Sequence, residues 1–106
     1  GIIMSDTPVY MLVNLHVTNA DEYRIYEKGF FPILKKYGGQ FITYDDQSVT
    51  LEGTAREGRM IMFSFPSEQV ARDWFADAEY QALSEHRRAG TEMQFLTMVH
   101  GLPPRS

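Results

Sequence analysis

Apolar positions in the 106-residue chain recur with two different periods, and these periods divide it into strands and helices. Short alternating or continuous apolar runs predict strands at residues 10–17, 40–45, 59–65 and 93–100, with a continuation of the second strand over residues 49–52. Apolar residues spaced three and four apart predict amphipathic helices. One such helix follows Thr18 or Asn19 and ends at the glycine pair 38–39, and another follows Ser67.

Residues 59–83 combine a buried strand, a sharp corner and an amphipathic helix without a linker. Pro66 cannot donate a hydrogen bond to a sheet, and therefore it ends the strand. The Ser67 hydroxyl is placed to accept a hydrogen bond from a backbone N–H of the first helical turn. Asp77 is predicted to cap a further short helix that extends through Arg88. The apolar stripe of the helix after Ser67 consists of Val70, Ala71, Trp74, Phe75 and Ala78.

The resulting order, β-α-β-β-α-β, predicts an α+β fold of the ferredoxin-like class. Right-handed crossovers place the four strands in one antiparallel sheet with the helices on one face. The domain is expected over residues 9–101. A disordered or cloning-derived segment at residues 1–8 precedes it, and a tail at residues 102–106 follows it.

The sheet face without helices is predicted to be unusually apolar. A half-covered antiparallel sheet normally turns polar residues to water, and a large exposed apolar patch usually marks an interface. The pattern therefore predicts a homodimer through the open sheet face, in which two sheets enclose a barrel-like interior. The residues assigned to that face are Leu12, Met60, Met62, Leu96 and Met98.

The composition excludes several classes of function. Ten basic and fourteen acidic residues give a net charge of −4, which disfavours a nucleic-acid partner. The absence of cysteine excludes disulfides, thiol catalysis and thiolate metal ligands. No histidine or carboxylate cluster has the spacing of metal ligands, so no metal is expected. No apolar run approaches the roughly 18 residues of a membrane span, so a cytoplasmic protein without a membrane partner is expected.

Several short motifs, taken together, resemble those of one small family. They are Tyr37-Gly38-Gly39, Leu51-Glu52-Gly53, Phe65-Pro66-Ser67, Ala71, Trp74, Glu79-Tyr80-Gln81 and Arg87. This set spans about residues 13–100 and is similar to the family known as domain of unknown function 1330. The resemblance implies a dimeric α/β barrel, and it implies no established activity.

The same layout resembles dimeric barrels that are quinone-forming or haem-degrading monooxygenases. In the haem group a histidine binds iron, and the corresponding position falls near Ser84, with His86 two residues further on. The catalytic tryptophan of that group falls near Phe65, whereas its asparagine coincides with Asn14. One match of three does not support haem, and no cofactor is expected.

Asn14 and His16 are the candidate catalytic residues, because they are the polar positions on the mixed face of the first strand. Histidine titrates near neutral pH and could serve as a general base, while Asn14 could orient a substrate. The third strand is expected to place His16 near Arg59 and Met60, and Asn14 near Met62. Alternatively, both residues form hydrogen bonds across a dimer interface.

Five further residues are candidates for binding a substrate. Arg87 lies on the same predicted side as Tyr80 and could bind a carboxylate or pair with Glu52. The alternative for Arg87 is that it complements the dipole of its helix. Aromatic residues at helical spacing are alternatively members of the core. The five candidates are Tyr37, Met62, Trp74, Tyr80 and Arg87.

Two classes of function remain open. The first is a small-molecule-binding protein, extending to a cofactor-independent enzyme of monooxygenase or isomerase type that acts on a small apolar or aromatic compound. Aromatic and methionine side chains around a few polar groups are typical of such a site, and His16 or Tyr37 would then be the acid or base. The second is a non-enzymatic homodimer, a structural or interaction module in which the same residues are only core and interface.

Overall fold

Seven elements follow one another within residues 7–103, the part of the chain that the computed structural model describes. The strands are β1 (Val9–Val17), β2 (Gln40–Asp45), β3 (Arg59–Phe65) and β4 (Thr91–His100), and the helices are α1 (Ala20–Lys36), α2 (Glu68–Ala76) and α3 (Ala78–Gly90). Residues 1–6 and 104–106, which hold most of the expected N-terminal segment and tail, lie outside the described part.

The four strands form one antiparallel sheet in the order β2-β3-β1-β4. Alternate residues of the two central strands are buried against the helices: Val9, Met11 and Val13 in β1, and Ile61, Phe63 and Phe65 in β3. The predicted α+β class, with a ferredoxin-like sheet covered by helices on one face, is therefore confirmed.

Each helix begins at the kind of residue that the sequence predicts. The Asn19 side chain accepts a hydrogen bond from the Glu22 amide at 3.2 Å. Ser67 Oγ accepts from the Val70 amide at 3.2 Å. Asp77 Oδ1 accepts from the Tyr80 amide at 3.0 Å. These bonds satisfy amide groups that have no partner inside a helix, and they fix the points where α1, α2 and α3 start.

Trp74 is the centre of the hydrophobic core. It is fully buried, and its ring centroid lies 4.1 Å from that of Tyr80, 5.0 Å from that of Phe65 and 5.4 Å from that of Phe63. Phe75 belongs to the same predicted stripe but is 42% exposed. The stripe of α2 is therefore narrower than the sequence suggests, and Ala71 and Trp74 are its buried members.

The expected continuation of the second strand over residues 49–52 is wrong. Strand β2 ends at Asp45, and Val49 and Leu51 are 79% and 93% exposed. The physical reason lies in the partner strand. Asp45 already pairs with Met60, and β3 begins one residue earlier at Arg59, so further residues of β2 would have no ladder to join.

The assignment of Leu96 and Met98 to the open sheet face is also wrong. Asn14 pairs with Phe95 and Leu15 pairs with Met93, so Gln94 is an extra residue in β4. Because of this extra residue, each later residue of β4 lies on the opposite face of the sheet from the one that strict alternation would give. Leu96 and Met98 consequently pack against the core. The open face, as the structure has it, includes Tyr10, Leu12, Met60, Met62, Phe95 and Val99 together with the polar residues Asn14, Ser64 and Thr97.

Candidate functional site

A cavity of about 120 Å³ lies between the sheet and the helices α1 and α3. We call it the aromatic cavity, because eight of its sixteen lining residues carry aromatic rings. Three of those rings come from α1 at the spacing of one helical face: Tyr23, Tyr26 and Phe30. The full lining is Val13, Leu15, Tyr23, Tyr26, Glu27, Phe30, Phe31, Phe41, Tyr44, Arg59, Ile61, Phe63, Tyr80, Arg87, Met93 and Leu96.

The aromatic cavity reaches the surface between α1 and β2. Two of its lining residues there, Phe31 and Tyr44, are 50% and 56% exposed. Arg59 holds this mouth together: its Nε and Nη2 donate to Asp46 Oδ1 and Oδ2 at 2.8 and 3.1 Å, and its Nη1 donates to Glu27 at 3.2 Å. The guanidinium also lies 4.5 Å from the centre of the Tyr44 ring. The charge of Arg59 is thus neutralised by carboxylates of the protein itself.

The ion pair between Arg59 and Asp46 at the mouth shifts the pKa of both partners. The hydrogen bond from Arg59 lowers the pKa of the Asp46 carboxyl below its ordinary value. The same bond is the main cause of a raised pKa of Arg59, against which burial acts in the opposite direction. Both groups therefore stay charged at neutral pH, and the mouth keeps its ion pairs.

A second arginine, Arg87, lines the aromatic cavity without such neutralisation. It is only 6% exposed. Its Nη1 lies 3.5 Å from Met93 Sδ, and its guanidinium lies 5.6 Å from the centre of the Tyr26 ring. Its Nε is buried and has no hydrogen-bond partner within residues 7–103. None of the ion pairs in that part of the chain involves Arg87.

Tyr23 and Tyr26 line the aromatic cavity as hydrogen-bond donors rather than bases. The hydroxyls of Tyr26 and Tyr80 share a hydrogen bond of 2.8 Å. Burial raises the pKa of Tyr26 well above its ordinary value, with the neighbouring Tyr80 as a further cause. Burial also raises the pKa of Tyr23, although nearby Arg59 opposes the change. Both side chains therefore remain protonated at neutral pH and can stabilise negative charge on a bound oxygen.

Of the five predicted substrate-binding residues, Tyr80 and Arg87 line the aromatic cavity. Trp74 lies in the core, Met62 lies on the open face, and Tyr37 donates a hydrogen bond to Asp77 Oδ2 at 2.5 Å. The sequence analysis missed Tyr23, Tyr26 and Arg59 as site residues. The signal for the two tyrosines was present as the helical stripe of α1, but such a stripe is equally typical of core packing.

Asn14 lies in β1, where its side chain bonds the backbone at the start of β3. It is fully buried, and its Nδ2 donates to the backbone oxygens of Glu57 and Arg59 at 3.0 and 3.3 Å. Gly58 lies between these two acceptors with φ +89°, and a Cβ there would clash with the Leu15 backbone oxygen. Asn14 and Gly58 therefore hold the β2–β3 connection tightly against β1.

The positions of Asn14 and His16 differ from those expected along the strand. Asn14 pairs with Met60 rather than Met62, and His16 pairs with Glu92 and is exposed. Neither residue lines the aromatic cavity. The structure does not bring Asn14 and His16 together with Tyr80 and Arg87. The catalytic role of Asn14 and His16 therefore stays a prediction, and it would require a second site outside the aromatic cavity.

The positions that correspond to haem and metal ligands have ordinary structural partners. Ser84 is fully buried and its hydroxyl donates to the Tyr80 backbone oxygen at 2.8 Å. His86 Nδ1 lies 2.8 Å from a Glu22 oxygen. Within residues 7–103, histidine, aspartate and glutamate side chains form no cluster of three that could hold a metal ion. In the same part of the chain, no helix has the length and hydropathy needed to cross a membrane.

The fold and the aromatic cavity define a ferredoxin-like α+β domain with a small pocket between its sheet and its helices. The chain belongs to the family described as Domain of unknown function (DUF1330), whose sequence profile matches residues 8–102. This membership confirms the resemblance drawn from the motifs. No curated protein matches the sequence of this chain.

Solved structures with a similar fold are distant in sequence. A protein of unknown function from Rhodopseudomonas palustris is 19% identical, with a TM-score of 0.77 over 93% of this chain and 85% of that chain. A protein of unknown function from Bacteroides thetaiotaomicron, described as a possible oxidoreductase, is 18% identical. Its TM-score is 0.61, and the match covers 90% of this chain and 98% of that chain. SnoaB, a cofactor-independent oxygenase from Streptomyces nogalater, is 11% identical. Its TM-score is 0.53, and the match covers 94% of this chain and 96% of that chain. At these identities the likeness establishes the fold alone.

Proposed function

We propose that this protein binds a small apolar or aromatic molecule in the aromatic cavity. The observation that carries the proposal is a cavity of about 120 Å³ lined by aromatic rings and a few polar groups. Binding sites for small molecules usually have this make-up. An apolar cavity of about 150 Å³ accepts benzene. The aromatic cavity is somewhat smaller but opens to the surface beside Phe31 and Tyr44, so a molecule with a single ring could extend into its mouth.

The proposal extends to a cofactor-independent enzyme that acts on the bound molecule. The similar fold of the cofactor-independent oxygenase from Streptomyces nogalater supports this extension. The chemistry of the lining agrees with it, because Tyr23 and Tyr26 stay protonated and can donate hydrogen bonds to a developing oxyanion.

Filling the aromatic cavity tests the proposal directly. Ile61 lines the cavity, whereas Leu12 lies on the open face, so Ile61→Phe and Leu12→Phe add a ring inside and outside the site. A panel of single-ring molecules is screened by thermal shift. A binder present at one hundred times its Kd should stabilise the parent protein by about 2.7 kcal/mol.

Ile61→Phe should abolish that stabilisation and Leu12→Phe should retain it, provided that both variants show the circular dichroism spectrum of the parent. Equal stabilisation of the parent and of Ile61→Phe would contradict binding in the aromatic cavity. Aerobic incubation with a bound molecule, followed by mass spectrometry, separates an enzyme from a simple binder: an unchanged molecule would contradict the enzymatic part.

We also propose that two copies associate through the open face. The support is its apolar make-up: Leu12, Met60, Met62 and Phe95 remain half-buried, and Tyr10 and Val99 are 36% and 41% exposed. Apolar patches of this kind usually mark an interface between protein chains. This assembly is common to the enzyme and to the alternative, a non-enzymatic homodimeric module.

A further inference from the structure

Arg87 is a buried cation that lacks a carboxylate partner in the described part of the chain. Burial of a charge is costly unless the charge is paired. Two features lessen the cost here, since Arg87 lies in the last turn of α3 and its guanidinium lies 5.6 Å from the centre of the Tyr26 ring. Neither supplies a negative charge or an acceptor for the buried Nε.

Arg59, the other arginine of the aromatic cavity, has the carboxylate partner that Arg87 lacks. In Arg59, the edge formed by Nε and Nη2 binds both oxygens of Asp46, at 2.8 and 3.1 Å. In Arg87, Nε has no partner within residues 7–103. The two residues line the same cavity, but only one of them has a carboxylate on that edge.

We propose that the ligand of the aromatic cavity is a single-ring monocarboxylate and that Arg87 binds its carboxylate. This inference rests on the proposed function and names the class of molecule that the cavity accepts. The planar guanidinium edge matches a carboxylate in bidentate geometry. The ring then lies against the aromatic side chains of α1, and the carboxylate neutralises the charge of Arg87.

The charges around the aromatic cavity favour a carboxylate over a phosphate. The ionisable groups in the lining are Glu27, Arg59, Arg87 and the tyrosines at positions 23, 26, 44 and 80. Arg59 is already paired with Asp46 and Glu27, so Arg87 is the one cation of the lining that has no carboxylate partner within residues 7–103. A phosphate group carries about −1.5 to −2 near neutral pH, whereas a carboxylate carries a single charge that Arg87 alone balances.

The test compares benzoate with benzamide, its neutral analogue of the same shape, by isothermal titration. Arg87→Met should weaken benzoate binding by at least about thirtyfold, the loss expected when one partner of a buried charge pair is removed. Benzamide binding should change much less. Because an unpaired buried charge is removed, Arg87→Met should melt at the same temperature as the parent or higher.

Arg59→Met is the matched control, because it removes a guanidinium from the same cavity that already has protein partners. It should lower the melting temperature and change the ratio of benzoate to benzamide affinity much less than Arg87→Met does. Unaltered benzoate affinity in Arg87→Met, or equal affinity of the parent for both compounds, would overturn the carboxylate inference and leave ligand binding intact. Failure of the parent to bind either compound or any neutral single-ring molecule would overturn the proposed function itself.

Discussion

Asp77 connects the end of α1 with the start of α3 through three hydrogen bonds. Its Oδ2 accepts from the Tyr37 hydroxyl at 2.5 Å and from Lys36 Nζ at 3.1 Å, while its Oδ1 accepts from the Tyr80 amide at 3.0 Å. The bond from Tyr37 is the main cause of a pKa of Asp77 far below the ordinary 3.8, and the Tyr80 amide and Lys36 lower it further. One carboxylate therefore acts as helix cap and as a link between two helices.

Asp77→Asn should make the stability of the protein less dependent on pH under acidic conditions. The folded state lowers the pKa of Asp77, so its carboxylate stabilises the fold above the ordinary value of 3.8 and loses that effect as pH falls through the lower, folded pKa. Urea unfolding at neutral pH should show a less stable variant, and the difference from the parent should shrink as the pH is lowered below 3.8.

The control for that experiment is Asp21→Asn, because the Asp21 side chain is 93% exposed and its nearest cation, Arg24, is 3.7 Å away. It should change the stability at neutral pH much less than Asp77→Asn does. A constant difference between Asp77→Asn and the parent across the acidic range would show that the charge of Asp77 contributes nothing beyond the cap.

Helix α2 depends on two residues that act in different ways. Ser67 supplies an acceptor for the Val70 amide at 3.2 Å, whereas Trp74 supplies buried aromatic surface at the centre of the core. The first interaction is local and partly open to water, and the second connects α2 to β3 and α3.

Replacing these two residues should therefore have unequal effects on stability. Ser67→Ala should lower the free energy of unfolding by about 1 kcal/mol, the usual contribution of a helix cap. Trp74→Ala should lower it by about 3 to 5 kcal/mol, because a large buried ring is replaced by a cavity. Chemical denaturation measures both values. Small and equal losses would mean that Trp74 contributes little packing energy.

Strand β4 shows where prediction from the sequence fails at the level of an element. Its existence follows from the apolar run, but which residues face the helices depends on the extra residue Gln94. Nothing local marks Gln94 as a bulge, since its place is set by pairing with β1. Caps such as Ser67 and Asp77 are predictable because they depend on neighbours in sequence, whereas the bond from Tyr37 to Asp77 joins residues 40 positions apart.

The molecule as a whole has one sheet face that the described helices leave uncovered. Met62 lies on that face, opposite Leu12 of the neighbouring central strand. In a dimer formed through this surface, Met62 would lie near the centre of the contact, so a charge at this position would be buried without a partner.

Met62→Glu should therefore convert a dimer into monomers or unfold it. Light scattering at micromolar concentration measures the mass of the parent and of the variant. Ile25→Glu is a suitable control, because Ile25 lies on α1 and is 47% exposed, so it should leave the mass unchanged. A parent protein that is already monomeric at micromolar concentration would contradict association through the open face.

The overall topology could be predicted from the sequence, because the order of strands and helices and the handedness of their connections leave few arrangements. The aromatic cavity could not, since its lining comes from α1, α3 and all four strands. Arg87 and Tyr80 were recognisable as neighbours on one helix. Arg59 has a carboxylate partner, whereas Arg87 Nε has no partner within residues 7–103. This difference depends on side chains that are distant in sequence, so the sequence does not predict it.

The ion pairs of Arg59 have a consequence for the speed of ligand exchange. Arg59 joins β3 to Asp46 after β2 and to Glu27 on α1, and it stacks on Tyr44 at the mouth of the aromatic cavity. A molecule that enters or leaves between α1 and β2 must wait for these contacts to open. Salt screens partly exposed charges, so dissociation should accelerate at high ionic strength. If the cavity binds a small molecule as proposed, Arg59 would act as a latch that lengthens the residence time of that molecule.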